Sequence, residues 1–200
     1  MHTVGILGGT FDPPHIGHMM IAKEVQLTCG FDEIWFIPTN DPPHKQHAHA
    51  RASDRLAMLE EMIQDEPTWK VLDIELKREG KSFTIDTLTT LRRCYPEITF
   101  HFIIGADMVE YLPKWYKIDE LITLVSFICV QRDTYSLETN YPVKEVYVPE
   151  VHISSTLIRQ WLAQGKSPHY FVSEYVFDYI KEHQLYGYST NQRKSTTEPK

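Results

Sequence analysis

Apolar residues in this chain come in short runs, and the runs follow two rhythms. Residues 3–8 (T-V-G-I-L-G), 33–38 (E-I-W-F-I-P) and 99–105 (T-F-H-F-I-I-G) are brief, nearly continuous apolar stretches. That is the pattern of strands buried on both faces. Residues 124–131 add another, residues 145–148 a short later one, and residues 70–76 a further candidate. Between these runs the spacing becomes helical. Residues 16–29 read as a helix stopped by Gly30, and residues 53–65 as an amphipathic helix with Leu56, Leu59 and Ile63 on one face. Residues 85–95 form a third helix, ended before Pro96, and residues 156–163 a fourth, stopped by Gly165. Residues 172–183 carry the clearest helical stripe: Val172, Tyr175, Val176, Tyr179 and Ile180. Strands alternating with helices predict an α/β chain: one doubly wound parallel sheet with helices on both faces, joined by right-handed crossovers. In such sheets ligands bind beyond the carboxyl ends of the strands, near the point where the strand order reverses. Residues just after strands are therefore the first candidates for a site.

Composition narrows the partners. The 200 residues are 42% hydrophobic and 24% charged, the mix of a soluble domain with a substantial core. The formal net charge is -7, so no global basic field awaits long nucleic acid, and an anionic ligand must meet a local positive pocket. Cys29, Cys94 and Cys129 are odd in number, far apart and without a C-x-x-C pair, which suits reduced thiols. No apolar run approaches the roughly 20 residues that span a membrane, and no signal-peptide pattern opens the chain. The expectation is a cytoplasmic protein with no membrane partner. Residues 188–200 are polar, rich in Ser and Thr, and aperiodic, so the folded domain is expected to be 1–187 with a disordered tail behind it.

The first predicted strand runs straight into Gly8-Gly9-Thr10-Phe11-Asp12-Pro13-Pro14-His15-Ile16-Gly17-His18. Two glycines allow close approach of backbone to a ligand, and two prolines fix the start of the helix. His15 and His18, three apart at a helix start, share one face. A helix N-terminus adds free N–H groups and the positive end of a dipole. Backbone donors, dipole and two imidazoles together make a phosphate site. A zinc site from the same two histidines is the weaker alternative, because no clear third ligand stands nearby.

The stretch H-I-G-H resembles the H-x-G-H signature of the nucleotidyltransferase superfamily that includes class I aminoacyl-tRNA synthetases. The longer string G-G-T-F-D-P-P-H-I-G-H is similar to that of bacterial nicotinate-nucleotide adenylyltransferases. The superfamily's second signature is met by Ile153-Ser154-Ser155-Thr156-Leu157-Ile158-Arg159. There Ser154 is placed to cap a helix whose first turn holds Ser155 and Thr156, with Arg159 on the same side as Ser155. Three further stretches resemble the same family: Pro42-Pro43-His44-Lys45, Ser82-Phe83-Thr84-Ile85-Asp86-Thr87, and Gly105-Ala106-Asp107-Met108 followed by Leu112-Pro113-Lys114-Trp115. Thr84 is expected to cap the helix it opens. The likeness runs from residue 4 to 187. One departure is Ser173, where family members often have proline; serine still starts a helix acceptably.

The resemblance implies a Rossmann-like fold and a reaction between ATP and nicotinate mononucleotide that yields nicotinate adenine dinucleotide and pyrophosphate. It implies ATP contacts at Gly8, Gly9, Thr10, Phe11, His15, His18, Gly105, Asp107, Ile153, Ser154, Ser155 and Arg159. Of these, His15, His18 and Arg159, with Lys45, would act directly on the phosphates. Lys45, Thr84 and Trp115 would meet the mononucleotide, Trp115 by stacking on its ring. Mg²⁺ would be held by phosphate oxygens and water, not by protein side chains. A homodimer is compatible with the family, although no feature of the sequence carries it. His44, His47 and His49 are expected to lie in a mobile loop that closes over substrate, with adventitious metal binding as its other reading. A pantetheine-phosphate adenylyltransferase would share the first and last motifs but should lack the two middle ones. A nucleotide-binding sensor would be expected to lose His15, His18 or Arg159, and a tRNA-charging enzyme would need far more chain.

Overall fold

The computed structural model describes residues 2–40, 48–78, 80, 82–131, 139–149 and 151–189. Six strands form one wholly parallel sheet: β1 (His2–Gly9), β2 (Glu33–Pro38), β3 (Trp69–Val71), β4 (Ile98–Gly105), β5 (Ser126–Gln131) and β6 (Val143–Tyr147). Their spatial order is β3-β2-β1-β4-β5-β6. The order reverses between β1 and β4, and this is the switch point at which doubly wound sheets bind ligands. Leu7 pairs with Ile103; two residues further on, both strands end, at Gly9 and Gly105. The Gly-rich turn after β1 and the Gly105-Ala106-Asp107 turn after β4 therefore open side by side.

The apolar runs have divided between the two faces of the sheet. On one face Leu7, Phe36, Ile103, Ile128 and Val130 meet α1 (Ile16–Cys29), α2 (Ala52–Ile63), α6 (Ser155–Ala163) and α7 (Glu174–Glu182). On the other, Val4, Ile6, Trp35, Ile37, Phe100, Phe127 and Cys129 meet α3 (Thr84–Cys94) and α5 (Ile118–Leu124), with the short α4 (Ala106–Val109) alongside. Burial of this apolar surface on both sides, at about 25 cal/mol per Å², is what holds the sheet between its helices. Gly30 closes α1 in the left-handed conformation, φ 67°, where the missing Cβ removes the penalty.

Several expected boundaries move. The strand read at 70–76 is only Trp69–Val71, and the chain then turns. The strand read from residue 124 begins at Ser126, because Leu124 ends α5; the apolar run there belongs partly to a helix face. The strand read at 145–148 is Val143–Tyr147. On α2 the buried stripe is Arg55, Met58, Leu59, Met62 and Ile63, while Leu56 is only half-buried. On α7 Val176 and Ile180 are buried, but Tyr175 is exposed. Tyr188, the first residue of the expected tail, packs edge-on against Phe177 at 5.4 Å. Residues 190–200 lie outside the described residues.

Candidate active site at the switch point

The turn after β1 is held from three sides. Phe11 takes a left-handed backbone, φ 51°, and buries its ring edge-on to His18 at 4.9 Å and to Phe36 at 6.0 Å. A Cβ on Gly9 would lie 3.0 Å from that ring, so glycine lets the phenyl group fold back over the turn. Arg55 of α2 is 1% exposed. It donates through Nη1 to the carbonyl oxygens of Thr10 (2.8 Å) and Thr39 (2.7 Å), tying the turn after β1 to the one after β2. Burial pulls the Arg55 pKa below its ordinary value, and the nearby Asp12 charge opposes that shift.

Helix α1 starts from His15 in extended conformation, φ -153°. His15 and His18 stack, ring centroids 3.8 Å apart, so the predicted shared face is realised. The His15 backbone N–H donates to His18 Nδ1 at 3.2 Å. An accepting Nδ1 places the proton of the neutral imidazole on Nε2. Gly17 has a steric reason. A Cβ there would meet the His15 ring at 3.0 and 3.1 Å and Ile153 Cγ2 at 3.1 Å. The glycine of H-I-G-H lets the imidazole lie flat along the helix.

The second motif comes to the same place. Ser154 caps α6, accepting the Leu157 N–H at 3.2 Å. Ser155 Oγ donates to the Pro13 carbonyl at 2.8 Å, and Arg159 Nη1 to the Asp12 carbonyl at 2.6 Å. Arg159 Nη2 also donates to Thr156 Oγ1 at 3.1 Å. Residues more than 140 positions apart are thus locked together: two imidazoles, a guanidinium and two helix N-termini. Beside them a small apolar cleft is lined by Gly17, Met20, Ile21, Val130, Val148, Pro149 and Val151.

The other predicted residues lie around this centre. Asp107 is exposed at the start of α4, its carboxylate folded back over Gly105: a Cβ on that glycine would meet Asp107 Oδ1 at 2.5 Å. Trp115 is half-buried and meets Phe102 and Phe127 edge-on, each at 6.0 Å. Thr84 does not cap α3. Phe83 takes the cap position with extended backbone, and Thr84 is the first helical residue. Phe83 packs on Tyr116 at 4.8 Å, which brings the chain around Thr84 up to the chain around Trp115. Lys45, with His44 and His47 and the whole P-P-H-K stretch, lies outside the described residues.

Three polar groups of the site are absent from the sequence-based candidates. Asp12 is 3% exposed, and its carboxylate accepts three hydrogen bonds, as set out below. Tyr186 reaches Asp12 from the far end of the chain. Arg55 was discoverable: it occupies the apolar stripe of α2, where a charge needs a buried partner. A fourth, Glu75, supports α3: Thr87 Oγ1 donates to it at 2.9 Å, and Arg78 donates to that same hydroxyl at 3.3 Å. Burial raises the Glu75 pKa. Among the described residues no three His, Cys, Asp or Glu side chains gather as metal ligands, and no helix is long and apolar enough to cross a membrane.

This arrangement defines a class. A cytidylyltransferase-like family model matches residues 6–161, most of the chain, which makes the chain a nucleotidyltransferase. The relatives are more specific. A protein of Oceanobacillus iheyensis named "Probable nicotinate-nucleotide adenylyltransferase" is 51% identical over 191 residues, covering 96% of this chain and 100% of the relative. The nicotinate-nucleotide adenylyltransferase of Bacillus subtilis is 47% identical over 187 residues, covering 93% of this chain and 99% of its own. The chain belongs to the nicotinate-nucleotide adenylyltransferase family. Among solved structures, Plasmodium falciparum nicotinic acid mononucleotide adenylyltransferase complexed with NaAD is similar, with a TM-score of 0.77 at 21% identity over 94% of this chain and 99% of that one. That likeness bears on the fold, and it agrees with the Rossmann-like expectation.

Proposed function

We propose that this chain transfers the AMP moiety of ATP to nicotinate mononucleotide, giving nicotinate adenine dinucleotide and pyrophosphate in NAD biosynthesis. The observation that carries the reading is the lock between the two motifs. Ser155 and Arg159 bond to the carbonyl oxygens of Pro13 and Asp12, and so set a guanidinium and a helix N-terminus beside the stacked His15–His18 pair.

The chemistry follows from charge and position. An oxygen of the mononucleotide's 5′-phosphate forms a bond to the α-phosphorus of ATP, and the bond from that phosphorus to the bridging oxygen of the β-phosphate breaks. Pyrophosphate leaves with the electron pair. Such transfers need alignment and charge stabilisation, not a covalent intermediate. His18, with Nδ1 engaged by the His15 N–H, offers Nε2–H to the α-phosphate as charge builds there. His15 supports it from below. Ser154, Ser155 and Arg159 hold the β- and γ-phosphates and so the leaving group. Gly8, Gly9, Thr10 and Phe11 shape the backbone floor, with Ile153 packed beside Gly17. Asp107, at the end of β4 beside Gly105, suits the ATP ribose hydroxyls. Trp115 stacks on the pyridine ring, with Thr84 and the N-terminus of α3 near its carboxylate. Lys45 offsets repulsion between the two phosphate groups.

A divalent ion fits as cargo of the triphosphate. The polar groups converging here are chiefly N–H donors and imidazoles, whereas Mg²⁺ prefers oxygen, so phosphate oxygens and water would hold it. When bound, it neutralises phosphate charge. A cytoplasmic location and a homodimer complete the reading. Pyrophosphate release with ATP and Mg²⁺ tests it, with nicotinate mononucleotide, nicotinamide mononucleotide and phosphopantetheine as rival acceptors. Turnover with the nicotinate acceptor, well above the amide, is the expected result. Turnover with phosphopantetheine alone would replace the reading.

A further inference from the structure

Asp12 sits in the first motif, yet no phosphate chemistry needs an acidic group there. Its surroundings suggest another task. The carboxylate accepts the His49 backbone N–H at Oδ2 (2.7 Å), the Ala50 N–H at Oδ1 (3.0 Å) and the Tyr186 hydroxyl at Oδ1 (2.9 Å). His49 Nδ1 lies 3.4 Å from Oδ2, and Arg159 Nη1 lies 3.9 Å from the same oxygen. Four separate stretches of chain meet on one side chain: the turn after β1, the approach to α2, helix α6 and the 3-10 turn Leu185–Gly187. A carboxylate accepts in its own plane, so donors on both oxygens fix that plane, and with it the backbone at residue 12. The Asp12 carbonyl on that backbone receives Arg159 Nη1 at 2.6 Å.

Tyr186 is the most distant contributor, 174 positions from Asp12. Its backbone is left-handed, φ 56°, and its ring packs against the core on the face that carries α1, α2, α6 and α7. Burial and the Asp12 charge both push the phenol pKa up, which keeps the hydroxyl a donor. We propose that Tyr186 is a positioning residue: acting through Asp12, it sets the guanidinium of Arg159 at the angle that grips the ATP polyphosphate. This rests on the reading of Arg159 as a phosphate ligand. A merely structural tyrosine would pin the C-terminal turn to the domain and leave ATP affinity alone.

The test is a double-mutant cycle on the full chain, reading Mg·ATP affinity by calorimetry and KM for each substrate. Tyr186→Phe deletes one hydroxyl. It should weaken ATP about fivefold to tenfold while the mononucleotide KM stays within about twofold, since one charge-coupled hydrogen bond is at stake. In an Arg159→Lys background the same change should weaken ATP by less than about twofold, because the geometry it protects is already gone. Asp12→Asn, which keeps the shape and weakens the acceptor, should repeat the pattern if Tyr186→Phe proves unstable. Unchanged ATP affinity in Tyr186→Phe and in Asp12→Asn, or equal losses in both Arg159 backgrounds, would overturn the proposal. Turnover of the unaltered protein tests the underlying reading separately.

Discussion

The two ends of this site are built from different materials. At the proposed phosphate end almost every residue is held by a directed hydrogen bond, many from distant parts of the chain: Arg55 to Thr10 and Thr39, Ser155 to Pro13, Arg159 to Asp12, Tyr186 to Asp12. At the proposed pyridine end the contacts are mostly between rings: Phe83 on Tyr116, and Trp115 against Phe102 and Phe127. The difference suits the ligands. A phosphate in a transition state needs donors fixed to fractions of an ångström, and hydrogen bonds are directional. A flat ring needs a slot of the right width, which packing supplies without fixing any single angle.

That contrast makes ordered predictions. The largest effect should come from His18→Ala. It removes the imidazole proposed to meet the reacting phosphate, and kcat should fall about 10²- to 10³-fold, as for loss of one transition-state donor. The mononucleotide KM should hold within about threefold, so steady-state kinetics with each substrate varied separate the two. Gly17→Ala comes next. Its Cβ meets the His15 ring and Ile153, so the imidazoles are displaced while the chemistry of every side chain is kept. A loss of about tenfold to a hundredfold in kcat is expected from that small misplacement, with circular dichroism unchanged.

Trp115→Ala should act on the other end. Ring stacking is worth about 1–3 kcal/mol, so the mononucleotide KM should rise about tenfold or more while ATP affinity holds. An equal rise for both substrates would break the proposed division. The smallest effect belongs to Glu75→Gln, behind the pyridine end. Burial raises the Glu75 pKa above its ordinary 4.5, so the folded state holds the proton more tightly than the unfolded chain does. That favours folding below about 4.5, and the advantage is lost as pH rises through the raised folded value. At neutral pH the ionised group is therefore a burden. Glu75→Gln should be at least as stable as the parent at pH 7, and its advantage should shrink as pH falls toward 4.5 in thermal melts.

The same contrast explains what could be read from the chain. Phosphate motifs are local: G-G-T-F-D-P-P-H-I-G-H and I-S-S-T-L-I-R carry their turn, cap and donors within a dozen residues, so the sequence alone pointed to them. The main strands were legible because burial on both faces leaves unbroken apolar runs. The short elements at 106–124 were not, because α4 has four residues and α5 seven, too few to show a period. The cap of α3 slipped by one, from Thr84 to Phe83, since backbone geometry rather than a side-chain bond sets that start. Asp12 and Tyr186 were missed as a pair because nothing local links positions 174 apart. Arg55 was the readable exception, a lone charge on an apolar stripe.

The most direct test follows the α-phosphate itself. The protein is incubated with ATP radiolabelled at that phosphate, Mg²⁺ and nicotinate mononucleotide, then denatured and separated from its products. The account predicts label in nicotinate adenine dinucleotide, pyrophosphate in equal amount, and none on the protein. Label retained on the denatured chain, or release of orthophosphate in place of pyrophosphate, would contradict it.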